Sequence, residues 1–248
     1  MEQTSGAAVL EHPTDAAVSP RLPPLENGAQ MTRDEFERRY NRMPDVKKAE
    51  LIEGIVYMPS PVSHTQHGRP HRNVITWLGV YNASTPGIEG GDNGTVRLDK
   101  ANEPQPDAYL FISRTCGGQA RLDADDYVEG APELVVEIAA TSASRDLHAK
   151  LNVYLRNGVK EYIVWRVLEQ AIDWFVLRGG KYERLVLTKL RAGVEVYKSE
   201  TFPGLWLDPA ALLKDNLAAV LDVLRKGLAS SEHAAFVARL QEAKEKKR

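Results

Sequence analysis

The stretch from Glu133 to Trp165, ELVVEIAATSASRDLHAKLNVYLRNGVKEYIVW, decides the fold. Leu134, Val135, Val136 and Ile138 make an apolar run of strand length, interrupted by Glu137. Behind it Leu147, Leu151 and Tyr154 share one face at helical spacing, and Asn157-Gly158 supplies a left-handed stop. Beyond the glycine, EYIVWRV reads as another strand. Strand, helix and strand in this order predict a parallel pair joined by a right-handed crossover. The expected class is α/β, with a mixed sheet and flanking helices.

Outward from this unit, DAYLFI and TVRLD read as strands separated by the polar loop KANEPQP, and AIDWFVLRGGKYERLVL as a hairpin turning at Gly179-Gly180. Upstream, AELIEGIVYMPSP reads as a hairpin turning at Glu53-Gly54, and His67, His71, Val74, Leu78 and Tyr81 form a helical stripe. Thr32 and Glu35 have capping-box spacing, so a short helix starts there and Pro44 stops it. Residues 1–30, rich in Ala, Pro, Ser and Gly, are expected as a tail. A domain over 31–213 follows, with a helical extension over 214–248 that breaks near Gly227.

Composition excludes some classes and leaves others open. The 248 residues carry a net charge of -2, with 43% hydrophobic and 27% charged residues, as in an ordinary globular chain. No apolar run approaches the roughly 20 residues of a membrane span, and the N-terminus lacks the pattern of a secretory signal. The lone Cys116, beside Gly117 and Gly118, reads as a loop cysteine in a reducing cytoplasm. Net charge gives no support to a nucleic-acid partner, although a local basic surface around an acidic site would suffice.

The chemistry centres on carboxylates. Asp107 heads one strand and Glu137 lies within another. An ionised acid among aliphatic neighbours is expensive unless a cation or donors compensate it. If the strands are neighbours, the two acids can converge on one divalent ion, and all-oxygen ligation favours magnesium, which takes one or two protein carboxylates and keeps waters. The Ile138 carbonyl is a further candidate ligand. Lys150 has two readings: a catalytic cation leaning into the site, or the end of a surface pair with Asp146 worth roughly 0.2–0.5 kcal/mol. His67 and His71, at i, i+4, could mimic a zinc pair, but no thiolate joins them, and packing or hydrogen bonding is the preferred reading. Arg69 and Arg72 read equally as phosphate contacts and as solvent-facing cations. The tryptophans sit amid aliphatic residues and are expected in the core.

Taken together, ELIEGIVYMPSPVSH, QPDAYLFI, PELVVEIAATSASRDLHAKLNVYLRNGVKEYIVW and FPGLWLD resemble the Uma-two restriction-endonuclease family of the PD-(D/E)XK nuclease superfamily, over about residues 32–213. The resemblance implies a restriction-endonuclease-like fold and magnesium-dependent cleavage of DNA, with manganese as a substitute. Pro106-Asp107 matches the PD element and Glu137 the second acid. The lysine usual two places further on is replaced by Ala139, and Lys150 matches the displaced lysine on the following helix. Glu53 matches an early auxiliary acid, His64 a histidine opening the next helix, and Asp146 a recurrent helix acid. Two departures stand out: Ala140-Thr141 replaces an expected serine-proline, and Trp165 replaces the aspartate that usually ends the EYWIVD-like strand. They leave a second reading, a catalytically degenerate DNA-binding or interaction module, and a third in which the phosphodiester is RNA. Two-strand cleavage would suit a homodimer.

Overall fold

The structure, a computed structural model, describes residues 22–58, 61–140, 142–191 and 193–247. Thr32 caps helix α1 (Arg33–Tyr40) by accepting from the Glu35 amide. The reciprocal half of the expected box is replaced by ion pairs of Glu35 with Arg38 and Arg39. Strands β1 (Glu50–Ile52) and β2 (Ile55–Tyr57) follow as a tight hairpin. Its two turn residues, Glu53 and Gly54, both have positive φ, 54° and 76°. That is the mirror-image turn whose twist suits a two-residue hairpin. A π-helical turn over His64–Gly68, capped by Ser63, then opens the long helix α2 (Arg69–Ala83).

The central sheet is built from β3 (Ile88–Gly91), β4 (Ala108–Ile112), β5 (Leu134–Ala139), β6 (Glu161–Arg166), β7 (Ala171–Arg178) and β8 (Lys181–Arg184). Its spatial order is β8-β7-β6-β5-β4-β3. Within this sheet β5 and β6 form the parallel pair, in register from Leu134↔Glu161 to Ala139↔Arg166, and the crossover between them carries helix α3 (Leu151–Asn157). Gly158 ends α3 at φ 80°, its amide donating back to Tyr154 and Leu155, and Gly179-Gly180 turns the β7–β8 hairpin.

All six residues of β5 are buried, as expected of a strand covered on both faces. Leu134, Val136 and Ile138 join the core under α2, with Trp77, Tyr81, Trp165 and Trp174. Val135 and Ala139 join the core under α3, with Tyr154 and Tyr162. Because successive strand residues alternate faces, Glu137 falls on the α3 side. The tryptophans are thus core residues, with Trp206 partly buried beside them.

Two boundaries differ from expectation. Residues 22–30, expected within the tail, pack on the hairpin: Leu25 is buried with Phe36 and Val56, and the Gly28 amide donates to the Val56 carbonyl. The rest of that expectation, residues 1–21, lies outside the described residues, as do Pro59, Ser60 and Thr141. At the other end, α4 (Leu217–Leu228) and α5 (Ser231–Glu245) are separated at Ser230, which caps α5. They are not an appendage, because Val220, Leu224, Phe236 and Leu240 belong to the α2-side core. Among the described residues no helix is long and apolar enough to cross a membrane.

Candidate active site

Strand pairing sets the two predicted acids opposite each other. β4 and β5 pair antiparallel, with Ala108 facing Val136 and Tyr109 facing Val135. One step further, Asp107 faces Glu137, on the α3 side where directly opposed side chains come close. The ladder ends there in a side-chain contact: the Ile138 amide donates to Asp107 Oδ2 at 2.8 Å. Asp107 Oδ1 lies 3.5 Å from His67 Nε2 and 3.6 Å from Lys48 Nζ. His71 Nε2 donates to the Asp107 main-chain carbonyl at 2.9 Å, and its ring stacks with that of His67. These residues line a cleft of about 740 Å³ together with Glu50, Asn93, Glu137, Ile138, Arg145 and Lys150.

Lys150 reaches the cleft floor from the crossover. The chain passes through a π-helical turn over Asp146–Lys150 before α3 begins. Such turns carry an extra residue and recur at functional sites. Both Asp146 and Lys150 face inward, each almost wholly buried. Lys150 Nζ donates to Glu50 Oε1 at 2.8 Å and to Glu137 Oε1 at 2.9 Å, and stands 4.0 Å from Asp146 Oδ1. Tyr154, one turn on, also donates to Glu137 Oε1 at 2.9 Å. Glu50 Oε1 additionally accepts from the Gln105 amide.

One buried lysine thus faces Glu50, Glu137 and Asp146, with Asp107 alongside, and the imbalance shows in the titration. Burial, reinforced by Asp107, Asp146 and Glu50 against the opposing pull of Lys150, lifts Glu137 to about 8. Burial also raises Asp146. Glu50 goes the other way: burial opposes its ionisation, but Lys150 and Lys48 outweigh it. Lys150 is held charged, since its three acids overcome the effect of burial.

The family described as "Uma2: Putative restriction endonuclease" matches residues 33–210 of the 248. The chain belongs to the Uma2 family. Among solved structures, a protein from Anabaena variabilis described as a putative nuclease belonging to DUF820 is similar, with a TM-score of 0.51 at 14% identity. The alignment covers 72% of this chain and 97% of that one, a likeness of fold. No curated protein sequence matches the chain.

On this Uma2 scaffold Asp107, Glu137, Ile138 and Lys150 meet in one cleft, and Asp146 lies directly behind Lys150. Glu53 does not join them. It is exposed at the hairpin turn and pairs with Arg156 at 2.9 Å, while Glu50, three residues earlier, is the acid that enters the site. His64 is exposed and outside the cleft lining, and His67 stands beside Asp107 instead. Arg69 and Arg72 both pair with Asp215 away from the cleft, so the cations on the cleft wall are Lys48 and Arg145. Arg145 lies 4.9 Å over the Tyr57 ring, a contact that holds it there. The surface reading of the Asp146–Lys150 pair is overturned, because both side chains point inward.

The donor set fits a hard divalent ion. Glu137 Oε1 is occupied by Lys150 and Tyr154, whereas Oε2 has no hydrogen-bond partner among the described residues. Asp107 Oδ1 faces the more distant Lys48 and His67. Among the described residues no three His, Cys, Asp or Glu side chains converge as a ready-made metal cage. The fit is to an ion held by two carboxylates and a carbonyl with water completing its shell, as magnesium is usually bound. The excess of buried acid over cation is the charge such an ion would neutralise.

Proposed function

We propose that this nuclease-family chain is a magnesium-dependent endonuclease that hydrolyses DNA phosphodiester bonds, with manganese able to replace magnesium. One observation carries the reading: Asp107 and Glu137 stand opposite each other at the end of the β4–β5 ladder, with Lys150 fixed on Glu137. Asp107, Glu137 and the Ile138 carbonyl would hold the ion. When bound, such an ion lowers the pKa of water and neutralises charge building on a phosphate.

The other groups position and compensate. Lys150 and Tyr154 fix the Glu137 carboxylate through Oε1, and Lys150 holds Glu50 by the same bridge. The lysine therefore acts by orienting acids and by placing a permanent positive charge under the reacting phosphate. Lys48 and Arg145 on the cleft wall provide the cationic contacts that a phosphate backbone needs, although the whole chain is slightly acidic. His67, 3.5 Å from Asp107 Oδ1, is placed to hold or pass a proton at the edge of the site.

The test compares wild type, Glu137→Gln and Lys150→Ala on supercoiled plasmid, single-stranded DNA and RNA, with magnesium, manganese or chelator. The expected result is metal-dependent cutting of DNA by wild type, reduced about a hundredfold or more in both variants. Equal cutting by all three proteins, or cutting that ignores chelator, refutes the assignment. Cutting confined to RNA keeps the residue roles and overturns the substrate.

A further inference from the structure

A second cavity, of about 470 Å³, adjoins the catalytic cleft. Asn93 lines both, and so forms the wall between them. This asparagine sits in the left-handed region at φ 51°, an uncommon conformation for a residue with a side chain. Its amide donates to the Pro106 carbonyl, next to Asp107, and its side-chain oxygen accepts from Lys48 Nζ at 2.9 Å. The partition is therefore anchored on the catalytic strand and on a cleft cation.

The lining of the second cavity is aromatic and amide-bearing. Tyr40, Tyr109 and Tyr127 line it, the Tyr127 ring with one face under the Arg97 guanidinium, and Gln105 adds a side chain that is 5% exposed. Gln105 Nε2 is committed to Thr95 Oγ1 at 3.1 Å and Tyr40 Oη at 3.4 Å. Its Oε1 has no partner among the described residues, so a nearly buried acceptor is left at the cavity wall. The main-chain amide of the same residue holds Glu50 of the catalytic cluster. Gly94 at the rim leaves room for the Tyr109 hydroxyl, which a Cβ there would crowd.

We propose that this cavity is a nucleobase subsite, which receives one unstacked base of the strand whose phosphate occupies the catalytic cleft. The inference rests on the nuclease reading above. Tyrosine faces stack on any base, the volume is that of a small-molecule pocket, and the shared Asn93 wall puts the subsite next to the reacting phosphate. The free end of the Gln105 side-chain amide gives the base one polar partner at the cavity wall. Every base carries a group that can meet it, the exocyclic amino group of adenine, cytosine and guanine or the ring N3–H of thymine.

The experiment uses full-length Glu137→Gln protein and fluorescence anisotropy on short DNA duplexes and their single strands. A single abasic site is walked along each strand relative to the bond that wild type cuts. At one position next to that bond, removing the base should weaken binding about tenfold. Adding Gln105→Leu and Tyr127→Ala should weaken binding of the intact substrate by the same factor and abolish the dependence on position. Should that variant fail to give a native circular dichroism spectrum, the walk on Glu137→Gln decides alone. Tight binding that is indifferent to every abasic position overturns the subsite and leaves the nuclease reading standing. Absence of binding to any of the DNAs overturns both.

Discussion

Replacing Lys150 by methionine keeps most of the buried stem and removes the cation that bridges Glu50 and Glu137. At pH 7 Glu137, lifted to about 8, is already largely protonated in the folded wild type, so the acid that loses its counter-charge is Glu50. The folded variant can neutralise Glu50 by taking up a proton against its ordinary value of 4.5. At 1.36 kcal/mol per unit, that costs about 3.4 kcal/mol at pH 7 and about 0.7 kcal/mol at pH 5. The larger figure falls within the roughly 3–5 kcal/mol expected when one partner of a buried ion pair is removed. The sign follows from proton uptake. In the variant the folded state binds a proton that the unfolded chain has released above pH 4.5, so its stability relative to wild type falls as pH rises. Urea unfolding in EDTA, followed by tryptophan fluorescence at pH 7 and pH 5, measures both figures, with an expected midpoint shift at pH 7 of about 1–2 M. Adding Glu50→Gln should recover a substantial part of the loss, a coupling that independent sites do not show. A penalty below about 1 kcal/mol at pH 7, or the same penalty at both pH values, would refute the idea that Lys150 compensates buried charge.

Three further outcomes test the site from other sides. Because the folded-state value of Glu137 is raised, wild type in EDTA should lose stability between pH 4.5 and about 8, where the unfolded chain has released a proton that the folded chain retains. Glu137→Gln should flatten that pH slope by about one proton per molecule, and an unchanged slope means that another acid carries it. Glu53→Gln should leave cutting unchanged and stability within about 1 kcal/mol, as for an exposed ion pair, whereas Glu50→Gln should impair cutting; a variant-by-variant plasmid assay in which Glu53 matters more than Glu50 defeats the geometric assignment. His67→Ala, which removes the neighbour of Asp107 without touching a carboxylate, should raise the magnesium concentration for half-maximal cutting about 10–100-fold, and an unaltered magnesium titration eliminates a supporting role.

Features that rest on local chemistry were legible in the sequence. Glu53-Gly54, Gly179-Gly180 and Asn157-Gly158 announce turns because few other residues accept positive φ, and each stands where the pattern put it. The apolar strand, helix and strand around Glu137 predicted the parallel β5–β6 pair, since handedness and loop length leave few alternatives. Asp107 and Glu137 were conspicuous as charges in apolar strands. Less legible was anything set by contacts distant in sequence. The packing of Leu25 on the hairpin and of Phe236 on the α2-side core depends on partners that a short window of sequence does not contain.

The acids of the hairpin show why the remainder stayed hidden. Glu50 opens a three-residue strand and Glu53 follows its end, and a strand that short does not reveal by period which acid turns inward. What separates them is Lys150, 100 residues further along the chain, which supplies the charge that lets Glu50 be buried. Asp146 and Lys150 present the same ambiguity on a helix, because i, i+4 spacing aligns two side chains without saying whether their face is wet or dry. Here the answer comes from Glu137. The buried acids around it, Glu50, Asp146 and Asp107, leave charge that needs a cation, and the π-helical turn brings Lys150 to them while turning Asp146 inward behind the lysine. The displaced lysine is thus an electrostatic requirement of the buried acid cluster, Glu50 above all, met from a neighbouring element with alanine at position 139. A lysine introduced at position 139 would project from β5 on the face that Glu137 shares, returning one positive charge to the buried acid cluster that Lys150 compensates. Ala139→Lys combined with Lys150→Met should therefore be more stable at pH 7 than Lys150→Met alone, in the same urea titration. If the double variant is no better, the position of the lysine matters as much as its charge.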